Sequence, residues 1–318
     1  MMPSFLRTRE AGVAALILLT VIVVSVINPF FLSTQNARDI FINASPGMIV
    51  ACGLTMVVIL GEIDISMGAL MGLCAAVLGK LVSADHVALP VWLSCVIVLG
   101  LGTSVGLING LLVTVGRVPS IIATLGMLTA LTGIGDLVMA GETIGNFPDA
   151  LRSLATGTVG PVPVPVMVAL LSVLGFSVLM RSTPLGRRIY AVGSNPHAAR
   201  LAALPVQRIK LFAFALTGAL TALATLISAP QLNVIEAGFG RQFELLVVTA
   251  VVVGGTSISG GVGTMFGSAL GMLLLAQVRT VLIFLQLGNS ATYWERAIQG
   301  GFILVAVLAD HLGRKRRD

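Results

Sequence analysis

Charge is what this sequence has least of. Only 10% of its 318 residues are Asp, Glu, Lys or Arg, while 56% are hydrophobic and the mean hydropathy is +1.02. A soluble domain is charged at roughly 25% of positions, so these few charges cannot cover a water-facing surface, and the bilayer must be the main solvent. Cysteine is nearly absent. Cys52, Cys74 and Cys95 lie in apolar runs with no C-x-x-C spacing, which reads as reduced core residues rather than a disulfide framework or a thiolate metal site. Three scattered histidines, His86, His197 and His311, add no metal cluster. There is no G-x-x-x-x-G-K-[ST] loop, since Gly79-Lys80 has neither the spacing nor the Ser/Thr. Any pumping must draw its energy from a partner or an ion gradient. The apolar runs are continuous rather than alternating, against a β-barrel. The net charge of +6 would suit nucleic acid, but the cations sit at span ends, where they orient a membrane chain, so no nucleic-acid partner is expected.

What is present is a series of runs long enough for about 30 Å of hydrocarbon. They fall near 11–28, 40–61, 64–84, 90–115, 119–140, 162–180, 209–230, 244–256, 262–285 and 293–310, predicting an all-α polytopic membrane protein of about ten transmembrane helices, with eight possible. Glycine-rich breaks replace real loops at the second-to-third and eighth-to-ninth boundaries. The 36 glycines suit helices that pack backbone to backbone in lipid. The first run resembles a signal peptide but lacks an A-x-A site, and is read as an uncleaved span. With both termini cytoplasmic, thirteen of the nineteen Lys and Arg fall inside: Arg7 and Arg9, Arg117, six in the stretch 181–210, and four in the tail 314–317. No soluble domain fits between spans, so the chain reads as one membrane domain, 1–318, with a single large inward loop at 181–210.

That loop, RSTPLGRRIYAVGSNPHAARLAALPVQRIK, carries six of the cations. Thr183-Pro184 ends the sixth span. Asn195 as N-cap with Pro196 at the first position starts a short helix that ends before Pro205, after which a second helix runs into span seven. A short capped helix flanked by Arg187, Arg188 and Arg200 suits rigid contact with a soluble subunit, and equally suits anchoring among lipid headgroups.

Each half of the chain also holds one break, 61–68 and 254–263, the pattern that points to a transporter's pathway. Glu62 and Asp64 are the sole acids between Asp39 and Asp85. Asp64, with Ser66, reads either as the cap of span three or as a pathway group. Asn109, Thr124, Thr256 and Ser257 are candidate lining residues, being uncharged hydroxyl and amide groups that can hydrogen-bond a polar solute. Structural packing is the competing reading of the glycines and hydroxyls around 254–263. Asp136 is placed near the external end of span five.

Four stretches resemble one family. TPLGRRIYAVGSNPHAARLAALPVQRIK is similar to the cytoplasmic loop of inner-membrane permeases of bacterial sugar ABC importers, the ribose, xylose and arabinose type, within the branched-chain amino acid permease superfamily. GEIDISMG (61–68) resembles the family's GGIDLSVG, RVPSIIATLG (117–126) its VPSFIATLG, and GGTSISGGVG (254–263) its GGTSLxGGxG. The resemblance implies a type II-like permease bundle in the bacterial inner membrane, and a transport subunit rather than an enzyme. Its implied partners are a second permease chain, alike or similar, a cytoplasmic ABC ATPase that binds ATP and Mg, a periplasmic solute-binding protein, and membrane lipid. It implies no cofactor in this chain. Asn195–Leu204 becomes the coupling helix, with Arg187, Arg188, Asn195, Pro196 and Arg200 as the ATPase-coupling residues. Glu62 stands where the family has Gly, Ala203 replaces a Gly, and Thr225 replaces another. The competing functions are an ion-coupled secondary transporter using Asp64 or Asp136, an ABC permease for branched-chain amino acids, and a structural membrane scaffold.

Overall fold

The computed structural model describes residues 9–232, 234–286 and 290–314 and is helical almost throughout. Among the described residues the helices run α1 (Arg9–Ile27), α2 (Thr34–Ile59), α3 (Met67–Val82), α4 (Val91–Thr114), α5 (Ser120–Met139), α6 (Asp149–Thr156), α7 (Val164–Ser182), α8 (Pro184–Ser194), α9 (Pro196–Leu201), α10 (Val206–Ser228), α11 (Phe243–Val253), α12 (Met265–Phe284) and α13 (Ala291–Arg314). Between α6 and α7, β1 (Thr158–Val159) and β2 (Val162–Pro163) form a small antiparallel ribbon with Thr158 opposite Pro163. The tail cations 315–317 lie outside the described residues.

All ten expected spans have a helix, but they are not ten equal crossings. Among the described residues, seven helices are long and apolar enough to cross a membrane: α1, α2, α4, α5, α7, α10 and α12. The 16 residues of α3 and the 11 of α11 are too few. At about 1.5 Å per residue they cover about 24 and 16 Å of a core about 30 Å thick. The sequence reading of α3 and α11 as full spans is therefore corrected: each is a partial crossing flanked by non-helical backbone, 60–66 before α3 and 236–242 before α11. The cause is conformational. Gly61 (φ +75°) stops α2, and Gly238, Gly240 and Gln242 (φ +90°, +81° and +68°) put a left-handed run before α11 that no right-handed helix can absorb.

Helix α2 is the central post. Its second half is buried all round, with Ile49, Leu54 and Ile59 fully enclosed by α7, α10, α11 and α12. Helix α10 packs on α4 through glycine. A Cβ on Gly218 would stand 2.1 Å from the Gly102 carbonyl, and one on Gly106 would stand 2.4 Å from that of Phe214. Such backbone contact supplies the dispersion energy that lipid cannot drive hydrophobically. The buried hydroxyls of α10 satisfy themselves: Thr217, Thr221 and Thr225 each donate to the carbonyl four residues earlier, at 2.8–2.9 Å. Thr225 thus fills its departure position without leaving an orphaned polar group.

The two ends of the bundle are tied differently. At the end away from the loop 181–210, Ile144 and Ile235 exchange backbone hydrogen bonds of 3.0 and 2.8 Å, and Asn146 donates to Asp85. Lys80 pairs with Glu142, and its hydrogen bond and charge hold that carboxyl below the ordinary carboxylate range. At the loop end, Thr264 caps α12 by accepting from Gly267 N at 3.0 Å and donates its hydroxyl to Glu10 on α1.

Candidate functional site

The loop 181–210 folds as its cap residues require. Thr183 Oγ1 accepts from Gly186 N at 3.2 Å and opens α8, with Pro184 in its first turn. Asn195 Oδ1 accepts from His197 N at 3.0 Å and Ala198 N at 2.9 Å, with Pro196 opening α9. Ile189, Val192, Gly193 and Ala199 face inward and are buried, whereas Arg187, Arg188 and Arg200 are exposed. The sequence predicts the caps and the cations. It does not reveal that α8 and α9 form one layer, apolar beneath and basic above.

Beneath that layer the two glycine-rich breaks meet. Gly261 N donates to Ile59 O at 2.8 Å, joining the end of α2 to the segment before α12. The Tyr190 hydroxyl of α8 donates to Gly263 O at 2.7 Å. A Cβ on Gly193 would stand 1.9 Å from Ile59 O and 2.9 Å from Gly261 N. One on Gly260 would stand 2.9 Å from Gly193 O. One end of α8 therefore touches both breaks through backbone alone, a contact geometry open only to glycine. Lys210, at the start of α10, adds an ion pair to Glu62, with side-chain exposures of 19% and 15%. The departure at Glu62 thus has a partner inside the same loop.

The segment 60–66 is braced by hydroxyls from α5. Ile63 N donates to Ser120 Oγ at 3.1 Å and Ile65 N to Thr124 Oγ1 at 3.2 Å. Asp64 Oδ1 accepts from Ser66 N at 2.9 Å and Ser66 Oγ at 2.7 Å, and Asn109 Nδ2 of α4 donates to Ser66 Oγ at 2.8 Å. Asp64, Ser66, Asn109 and Thr124 are thus brought together, at 3% exposure or less. Irregular backbone inside a membrane bundle needs partners of this kind, because no water is there to supply them. Asp64 contributes to the start of α3, while Ser66, at its N-cap position, makes no side-chain cap bond. Thr256 is buried at the other break, where its hydroxyl lies 3.4 Å from Ser268 Oγ, itself 2.7 Å from Thr55 Oγ1. Ser257 N donates to Val262 O at 2.9 Å within a tight turn.

None of these six candidate lining residues borders either of two cavities found among the described residues. The first, about 280 Å³, lies between α3, the C-terminal half of α5, and the segment 236–244. The second, about 410 Å³, lies across that segment and is bordered by α2, α12 and α13, with Arg279, Glu295 and Arg296 among its polar groups. Arg279, within the apolar helix α12, therefore faces a polar space. The segment between the cavities docks on α3 at Gly68 and Gly72, where added Cβ atoms would lie 2.6 Å from the carbonyls of Gly240 and Phe239. Asp136 lies 3.9 Å from Arg241, with both side chains more than half exposed. Sequence reasoning missed the segment EAGFGRQFE, 236–244. The available signal was a span of half the needed length preceded by glycines and charges.

Comparison with known proteins agrees with this architecture. Residues 36–307 match the family described as branched-chain amino acid transport system / permease component. The chain is 36% identical over 317 residues to the ribose import permease protein RbsC of Haemophilus influenzae, covering 98% of this chain and 96% of that protein. It is 34% identical over 316 residues to the autoinducer 2 import system permease protein LsrC of Yersinia pseudotuberculosis, covering 99% and 88%. The LsrC protein of Yersinia enterocolitica is 34% identical over 306 residues, covering 96% and 83%. A bundle of membrane-crossing helices with two interrupted crossings, matched along almost its whole length by import permeases, belongs to that permease-component family, as a multi-pass membrane transport subunit.

Proposed function

We propose that this chain is the conduit of an ATP-driven importer for a sugar or sugar-like solute, with both termini and the layer α8–α9 on the cytoplasmic side. A cytoplasmic ABC ATPase, holding ATP and Mg, docks on Arg187, Arg188, Asn195, Pro196 and Arg200. A periplasmic binding protein delivers solute to the opposite end, and a second permease chain completes the pore. The single domain, 1–318, presents 181–210 as its power input. The observation that carries this reading is the junction under α8. A push on the layer reaches both interrupted crossings through Gly193, Tyr190 and Lys210 with no flexible side chain between the glycine contacts. Near-complete coverage by ribose and autoinducer 2 import permeases supports the solute class. Asp64, Ser66, Asn109, Thr124, Thr256 and Ser257 serve on this reading as gate bracing, holding the breaks in one of two arrangements. An ion-coupled carrier leaves the basic layer without a role.

The test is reconstitution of the importer in proteoliposomes with Arg187→Glu and Arg188→Glu. ATP hydrolysis continuing while uptake falls at least tenfold is the expected outcome. Unchanged uptake per ATP refutes the docking assignment. Uptake that survives ATP depletion but collapses with a protonophore refutes the importer.

A further inference from the structure

The cavity of about 280 Å³ beside α5 has the size and lining of a monosaccharide site. At roughly 30 Å³ per water-sized group it has room for about nine such groups, the scale of a five- or six-carbon polyol. One wall is apolar, with Leu128 and Phe239 among its surfaces. The other gathers Thr132, Asp136, Glu236, Arg241, Gln242 and Glu244. A carboxylate accepts from sugar hydroxyls, an amide both donates and accepts, and an apolar wall suits the C–H face of a sugar ring. Three carboxylates against one guanidinium leave the lining net negative, which disfavours an anionic solute.

The site is built rather than incidental. Glu244 is half-buried in the first turn of α11, and its Oε2 occupies the space where a Cβ on Gly68 would stand, 1.9 Å away. Gly68 and Gly72 bring the segment 236–244 onto α3 and so form the floor of the cavity. Both partial crossings contribute here, α3 by its glycine face and α11 by its first turn. Helix α5 contributes Thr132 and Asp136 from one side. That placement, along the C-terminal half of a full crossing, is where a solute in transit is expected.

We infer that this cavity is a transit site for a neutral polyol, with Glu244 and Gln242 as its principal hydrogen-bonding groups and Thr132 opposite. The inference rests on the importer reading above. The experiment measures ATP-dependent uptake by the complete importer in cells, with labelled D-ribose and other neutral pentoses and hexoses, gluconate, and L-leucine as probes. Variants are Glu244→Gln, Gln242→Ala and the conservative Glu244→Asp, each matched for membrane abundance. Loss of a hydrogen bond to a charged group predicts a fall of about tenfold or more in neutral-sugar uptake for Glu244→Gln. It also predicts partial recovery in Glu244→Asp and a rise in the gluconate-to-sugar ratio as negative charge is removed. A merely structural role would not move that ratio. Wild-type rate and ratio in both Glu244→Gln and Gln242→Ala overturn the site while leaving the importer reading intact. A wild-type importer that moves leucine, or no neutral sugar, overturns the site together with the solute class on which it rests.

Discussion

Replacing Gly193 with alanine tests the junction under α8 most directly. The new Cβ would stand 1.9 Å from Ile59 O, whereas real Cβ atoms essentially never approach within 3.0 Å, so something must move by about an ångström. The obstructing atoms are backbone, and no side-chain rotation relieves them. Displacing Ile59 O breaks its 2.8 Å bond from Gly261 N, at about 1–3 kcal/mol for a buried group left unpaired. Overpacking adds about 1–3 kcal/mol. Alanine's better helix propensity returns about 1 kcal/mol, leaving a net destabilisation of about 1–5 kcal/mol. The backbone itself is not the obstacle, since Gly193 is not among the left-handed glycines. The assay pairs thermal unfolding of the purified protein with uptake per ATP in proteoliposomes, using Gly175→Ala as control, because nothing lies within 4 Å of a Cβ there. Gly193→Ala should lower both readouts and Gly175→Ala neither. Equal unfolding temperature and equal coupling in Gly193→Ala and wild type would refute the idea that backbone contact at this point carries force.

Four further outcomes follow from the geometry. Glu62→Gln and Lys210→Met should each destabilise by about 1–3 kcal/mol, and the double variant by less than their sum, because removing one partner strands a largely buried charge; a thermal double-mutant cycle measures this. Ala203 sits at φ +58°, where the family resemblance expects glycine, so Ala203→Gly should stabilise by about 1 kcal/mol in the same unfolding assay. Asn195→Ala removes the acceptor for two amides and should cost about 1 kcal/mol, seen as faster hydrogen exchange at His197 and Ala198 and weaker ATPase binding. The Glu142 carboxyl is held low by Lys80, so its contribution is complete above the ordinary carboxylate range and lost as pH falls through the lowered value; acid should loosen the connection 140–148 in wild type, by limited proteolysis, and have less effect in Lys80→Met.

Much of the architecture was legible because lipid imposes a simple rule. Runs of about 20 apolar residues must become helices, and the position of each helix could be read from where those runs stop. The caps at Thr183 and Asn195 were legible for a local reason: their partners lie two or three residues away. What could not be read was everything that depends on distant backbone meeting. GEIDIS and RVPSIIATLG are more than fifty residues apart, yet Ser120 and Thr124 exist to receive the amides of Ile63 and Ile65. Thr124, which looked like pathway lining, is engaged in that bracing. The cavity was hidden because its chemistry sits in 236–244, whose docking on Gly68 and Gly72 is a tertiary event with no period of its own.

The eleven residues of α11 also bear on how the membrane is sealed. Where a crossing is half coil, peptide groups cannot face hydrocarbon and must be bathed by water or wrapped in protein. If water follows them, the insulating layer along this line shrinks to the helical half, and most of the transmembrane voltage drops there. An uncharged passenger is indifferent to that steep local field, whereas an ion would be driven by it. Retaining an electrically tight barrier while admitting nutrients then depends on Phe243–Val253 remaining firmly plugged against α12 between strokes.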